Sequence, residues 1–168
     1  MFEKIKSDDL INGFIKEQCC ENNVSVTFDD KIEKDSILII KVDDYYNSLG
    51  LEKTPPSPDC LILVKCMDGG YGLHIVELKN ITSAKRFDVD NLVKKFQTCL
   101  DDFVSDRFSK YLYIDYKTVK LYFISNIDIY SRDLGLKLEV LINYKLKYNG
   151  KSYLVRPNMP TPSIKPCY

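Results

Sequence analysis

The chain has 168 residues, a length that suits one domain with a real core. Its 45% hydrophobic and 29% charged residues exclude a disordered chain, and its 24 acids and 24 bases cancel, which excludes a protein that coats nucleic acid through a general basic excess. No apolar run approaches the roughly 20 residues that span a bilayer, and the opening MFEKIKSDDL lacks the apolar core of a signal peptide.

The first periodic stretch is DDLINGFIKEQCCEN, in which Leu10, Ile11, Phe14, Ile15 and Cys19 recur at helical spacing. Ser7 is its candidate cap, Asp8 and Asp9 suit the positive end of the helix dipole, and Gly13 weakens it. DSILIIKV then reads as a buried strand. The segment from Asp43 to Pro58 carries Asn47, Gly50, Pro55, Pro56 and Pro58 and reads as a loop. Cys60 to Cys66 and Tyr71 to Lys79 read as the two strands of a hairpin. The MDGG between them supplies the positive φ of a tight turn.

DVDNLVKKFQTCLDDFVSD is the clearest helix, with an apolar stripe from Val89 to Val104 and Asp88 as its N-cap. KYLYIDYKTVKLYFIS reads as one long strand or two short ones. VLINYKLKYNGKSYLVRP alternates around Asn149-Gly150, the strongest short hairpin signal in the chain. The terminal RPNMPTPSIKPCY has four prolines and reads as an extended or disordered arm. The order predicts a mixed α/β domain over residues 1–156, one sheet with helices packed on it, followed by a tail over 157–168.

With no leader sequence apparent, the expected setting is the cytoplasm, and the six cysteines then read as reduced thiols. Neither the adjacent Cys19-Cys20 nor the Cys60/Cys66 spacing matches a zinc knuckle or a redox CxxC. The only histidine is His74, which gives a histidine-based triad no support.

The hairpin carries the chemistry. Side chains alternate along a strand, so Glu77 and Lys79 share one face, about 7 Å apart, while His74 points to the other. Asp59 opens the first strand, and in an antiparallel hairpin that end lies beside the end of the second. Two carboxylates and an ammonium are thus expected to converge. Carboxylates without partners are costly to bury, and a hard divalent cation such as Mg2+ or Mn2+ would relieve their repulsion. Such an ion suits attack of water on a phosphodiester.

Pro58-Asp59, an apolar strand, a turn, a second strand and Glu77-Leu78-Lys79 resemble the PD-(D/E)xK nuclease superfamily. The resemblance covers roughly residues 7 to 125. It implies a restriction-endonuclease-like αβββαβ core followed by the C-terminal hairpin. It also implies that Asp59, Glu77 and the Val76 carbonyl hold the metal and that Lys79 orients the water. Many members add a first-helix glutamate, for which Glu17 is the candidate here, with Glu21 behind it. Some add a glutamine on the helix after the motif, where Gln97 lies, although Asp101 stands where some of those nucleases have a tyrosine. Lys85, Arg86, Lys94 and Lys95 are candidate phosphate contacts.

The function expected from these residues is that of a metal-dependent DNA endonuclease of restriction or repair type, acting as a homodimer on duplex DNA. Two alternatives stay open: a catalytically silent binding or assembly module, and an RNA-directed endonuclease of viral type. Members of the latter group often carry a histidine near the first helix, which this chain lacks.

Overall fold

The computed structural model of the chain describes residues 1–21, 23–79, 87–125, 132–158 and 163–168. Short strands fill the N-terminal part: β1 (Ile15–Lys16), β2 (Cys20–Glu21), β3 (Val24–Ser25) and β4 (Thr27–Phe28). The central strands are β5 (Ile37–Lys41), β6 (Cys60–Lys65), β7 (Tyr71–Lys79) and β8 (Thr118–Ser125). Then come β9 (Lys145–Tyr148), β10 (Lys151–Asn158) and β11 (Ser163–Ile164). The helices are α1 (Phe2–Lys6), α2 (Val42–Ser48), α3 (Val89–Thr98), α4 (Ser109–Leu112) and α5 (Arg132–Asn143), with α3 running on as a π-helical stretch over Cys99–Arg107.

The fold is α/β. Among the described residues, seven strands form one mixed sheet in the order β1-β5-β6-β7-β8-β10-β9. β5, β6 and β7 pair antiparallel in succession, and β8 lies parallel to β7. Parallel neighbours need a crossover, which α3 and its π-helical continuation supply. Asp88 caps α3, its carboxylate accepting from the Asn91 N–H at 3.0 Å. The β6–β7 turn has φ of 91° at Gly69 and 79° at Gly70, the region that glycine alone enters freely.

Strand alternation divides the core in two. Leu61, Leu63, Leu73 and Ile75 face the helices, packing with Phe96, Leu100 and Phe103. Ile62, Val64, Val76, Leu78 and Ile124 face the other way, against Val24, Val26 and Ile164. Each such side chain contributes about 1.5–3 kcal/mol on full burial. The second face is covered by short strands and the C-terminal segment. β11 pairs with β4, and the Met67 N–H donates to the Cys167 carbonyl at 3.0 Å.

Several expectations need correction. The region around Asp8 to Asn22 is no continuous helix: its described residues hold a 3-10 turn over Asn12–Phe14 and the short strands β1 and β2. Ile15 and Lys16 pair with Ile40 and Ile39, so an open sheet edge outcompeted a helix already weakened by Gly13. The loop expected from Asp43 opens with α2, fastened by Tyr46, whose hydroxyl donates to Asp102 at 2.5 Å. Leu141 and Asn143 belong to α5, and the closing hairpin is confined to β9 and β10.

The expectation of six reduced thiols is also overturned. Disulfides join Cys19 to Cys60 and Cys66 to Cys167, leaving Cys20 and Cys99 free. Disulfides persist in oxidising compartments, which weighs against the cytoplasmic setting expected from the sequence. The second disulfide also ties down a tail expected to be loose.

Candidate active site

Asp59 is delivered by the step from β5 into α2 as well as by its own strand. Lys41 ends β5 opposite Cys60, and the Val42 N–H, opening α2, donates to the Asp59 carbonyl at 3.1 Å. On β7, Val76 lies opposite Cys60, so the next residues outward, Asp59 and Glu77, come together as the ribbon's antiparallel sense requires. The Leu78 N–H donates to Asp59 Oδ2 at 2.5 Å and fixes that carboxylate across the ribbon end.

Asp59, Glu77 and Lys79 line one cleft of about 490 Å³, with Glu21, Asp43 and Lys95 also in its wall. Asp59 is 5% exposed and Glu77 2%. Burial, and next the neighbouring Glu77 charge, push the Asp59 carboxyl up to about 8. Burial also raises Glu77 above the usual carboxylate range, against the pull of Lys95 and Lys79. Lys95 descends from α3 onto this face, its Nζ 2.6 Å from Glu77 Oε1. Among the described residues, Glu77 Oε2 is buried without a hydrogen-bond partner. Beside the pair, Lys41 Nζ lies 3.3 Å from Asp43 Oδ1.

The donor set is hard oxygen, the kind Mg2+ and Mn2+ take. The unpartnered Oε2 of Glu77 and the mutual repulsion of two buried carboxyls are what a cation would relieve. As folded, however, an ammonium stands where that charge would be: Lys95 occupies one Glu77 oxygen, and the Leu78 amide occupies one Asp59 oxygen. Among the described residues, no three His, Cys, Asp or Glu side chains are grouped as ligands of a single ion. The residues fit a divalent cation in kind, and Lys95 has to yield for one to enter.

The remaining candidates divide. Glu17, the candidate first-helix glutamate, lines a different pocket beside Lys16 and Ser25, whereas Glu21 lines the cleft, hydrogen-bonded to Asp59. Val76 is buried within the sheet, and Leu78 is the strand residue between Glu77 and Lys79 that borders the cleft. Gln97 donates to Asp101 Oδ2 at 2.7 Å and lies outside the cleft wall. Lys94 is exposed, while Lys85 and Arg86 lie outside the described residues. His74 faces away, as strand parity requires, 1% exposed and stacked on Tyr122.

Sequence reasoning missed Asp43 and the ion-pairing role of Lys95. Asp43 was readable as the first turn of a helix following a buried strand. The Lys95–Glu77 pair had no local signal, because it depends on how α3 lies across the sheet.

Set beside known protein families, curated proteins and solved structures, the chain matches none.

Proposed function

We propose that this chain is a divalent-metal-dependent nuclease that hydrolyses phosphodiester bonds, with DNA as its favoured substrate and Mg2+ or Mn2+ as its cofactor. The observation that carries the reading is the meeting of Asp59, Glu77 and Lys79 in one cleft, with both carboxyls buried and a lysine compensating one of them. The connectivity adds support. Three antiparallel strands β5–β6–β7, the crossover through α3 and the parallel β8 match the βββαβ part of the order expected of such a core, without its leading helix.

In this reading Asp59 and Glu77 hold the cation once Lys95 has left Glu77, with Glu21 beside them in the cleft wall. Bound there, the cation supplies charge neutralisation at the phosphate and a more acidic water. Lys79, exposed at the end of β7, orients that water by donating to it. Lys95, once released from Glu77, and Lys94 on the same helix turn to the phosphate backbone. A chain without net basic charge engages nucleic acid through such local groups. A homodimer with one site per strand of the duplex belongs to the same proposal.

The test is incubation with duplex DNA, single-stranded DNA and RNA in Mg2+, Mn2+ or a chelator. Metal-dependent cleavage is expected, reduced at least about 100-fold in Asp59→Ala. Absence of cleavage of every form in either metal would sink the reading. The closed Lys95–Glu77 pair favours one competing reading, a module that binds without cutting. A calorimetric Mn2+ titration separates the two, because a silent module shows no site.

A further inference from the structure

The Cys19–Cys60 disulfide sits at a particular point of the molecule. Cys60 follows Asp59 directly, and Cys19 lies two residues before Glu21. The bond therefore crosses from the ribbon end to the β2–β3 hairpin, and it brings the Glu21 carboxyl within hydrogen-bonding reach of Asp59. Among the described residues, β2 and β3 are two residues each, pairing Cys20 with Ser25 and Glu21 with Val24. Val24 packs under the sheet, and the Val26 N–H donates to the Cys19 carbonyl at 3.0 Å. An isolated two-stranded hairpin is at best marginally stable.

We infer that the Cys19–Cys60 disulfide is the device that positions Glu21 in the wall of the acidic cleft, so that Glu21 stands beside Asp59 only in the oxidised protein. The inference rests on the proposed metal-dependent reading for its consequence, and on the disulfide and hairpin geometry for its cause. Reduction by a dithiol breaks the S–S bond. The dithiol gives up two electrons and two protons, closes into its own disulfide, and leaves two thiols on the chain. Both sulfurs are buried, so attack follows opening of the short hairpin, which separates Glu21 from Asp59. The cleft then keeps Asp59 and Glu77 but loses Glu21 from its wall.

The other disulfide is an internal control. Cys66 lies at the far end of β6, about 20 Å from Cys60 by strand rise, and joins Cys167 of the C-terminal segment. Breaking it loosens that segment and leaves Glu21 where it is.

The experiment compares Mn2+ affinity by calorimetry in the wild type and in Cys19→Ser/Cys60→Ser, Glu21→Gln, the three changes combined, and Cys66→Ser/Cys167→Ser. Amide exchange over residues 20–25 is followed in each. About a tenfold loss of affinity is expected in the first two variants, with no further loss when they are combined and none in the fourth. Exchange over 20–25 should rise in Cys19→Ser/Cys60→Ser and stay unchanged in Glu21→Gln, which keeps the disulfide. Full affinity in Cys19→Ser/Cys60→Ser beside a loss in Glu21→Gln overturns the inference. So do losses that simply add. Should the wild type bind no Mn2+, the nuclease reading fails by itself. The positioning role is then decided by exchange alone, and unchanged protection over 20–25 without the disulfide overturns it.

Discussion

The two faces of the β6–β7 ribbon bury ionisable groups in opposite ways. On the helix side, Glu77 keeps its charge partner, because Lys95 reaches it across 2.6 Å, and the pair borders an open cleft. On the other side, His74 has neither ring nitrogen hydrogen-bonded among the described residues, and its ring lies parallel to that of Tyr122, centroids 6.0 Å apart. Burial, and then the Lys120 charge, push its pKa down to about 3, so it sits neutral. A buried charge that is matched is a tool, whereas one that is unmatched is given up, an imidazole by losing its proton and a carboxyl by keeping one. The difference separates a face built for chemistry from a face built for packing.

The comparison is broken most severely at the covalent tie of the packing face. Replacing Cys66 and Cys167 by Ser opens a loop of sequence separation 101. The expected cost is about 4–5 kcal/mol in urea unfolding, while the acidic cleft stays intact. Equal loss of Mn2+ binding and stability in this variant would mean that the two faces are not independent.

Next in size is Lys95→Met. Glu77 is then left buried without its partner, and its pKa rises further. The expected destabilisation is roughly 3 kcal/mol, at the low end for a broken buried pair because Lys95 is partly solvated. Adding Glu77→Leu should recover most of it, as read from denaturant midpoints.

The pH dependence sharpens the contrast, since the two faces carry opposite signs. Asp59, at about 8 when folded against an ordinary 3.8, holds a proton that the unfolded chain releases between those values. Its contribution is greatest below pH 4 and is lost as pH rises towards 8. Asp59→Asn should remove this slope, roughly 2 kcal/mol between about pH 5 and pH 6.5, and added Mg2+ should reduce it in the wild type. His74, at about 3 when folded against an ordinary 6.5, works the other way. Its contribution is full above pH 6.5 and is lost as pH falls towards 3. His74→Leu should flatten that acid limb.

The smallest effect is that of His74→Leu at neutral pH. It removes two unsatisfied buried nitrogens and keeps the volume. A gain of about 1 kcal/mol is expected from the urea midpoint.

The ends of the ribbon are legible in the chain itself. Strand parity alone puts Glu77 with Lys79 and turns His74 away, and the antiparallel sense alone brings Asp59 to Glu77. Both rules act over neighbouring residues and a glycine turn, so a short stretch of sequence carries them. Asp88 as a cap and Asn149-Gly150 as a turn were legible for the same reason. The seven-stranded sheet was legible only in outline, because two-residue strands such as β1 and β2 leave no periodicity to read.

Everything else around the cleft required chains far apart in sequence to meet. Which lysine of α3 reaches Glu77 depends on the rotation of that helix over Phe96 and Leu100, set by packing across the whole core. Which glutamate reaches Asp59 depends on where a weak N-terminal helix gives way to strand pairing. Which cysteines join could not be read from spacing, since six allow 15 full pairings and two here stay free. Short-range geometry is encoded residue by residue, while the partners of a buried charge and of a thiol emerge only when the core has closed around them.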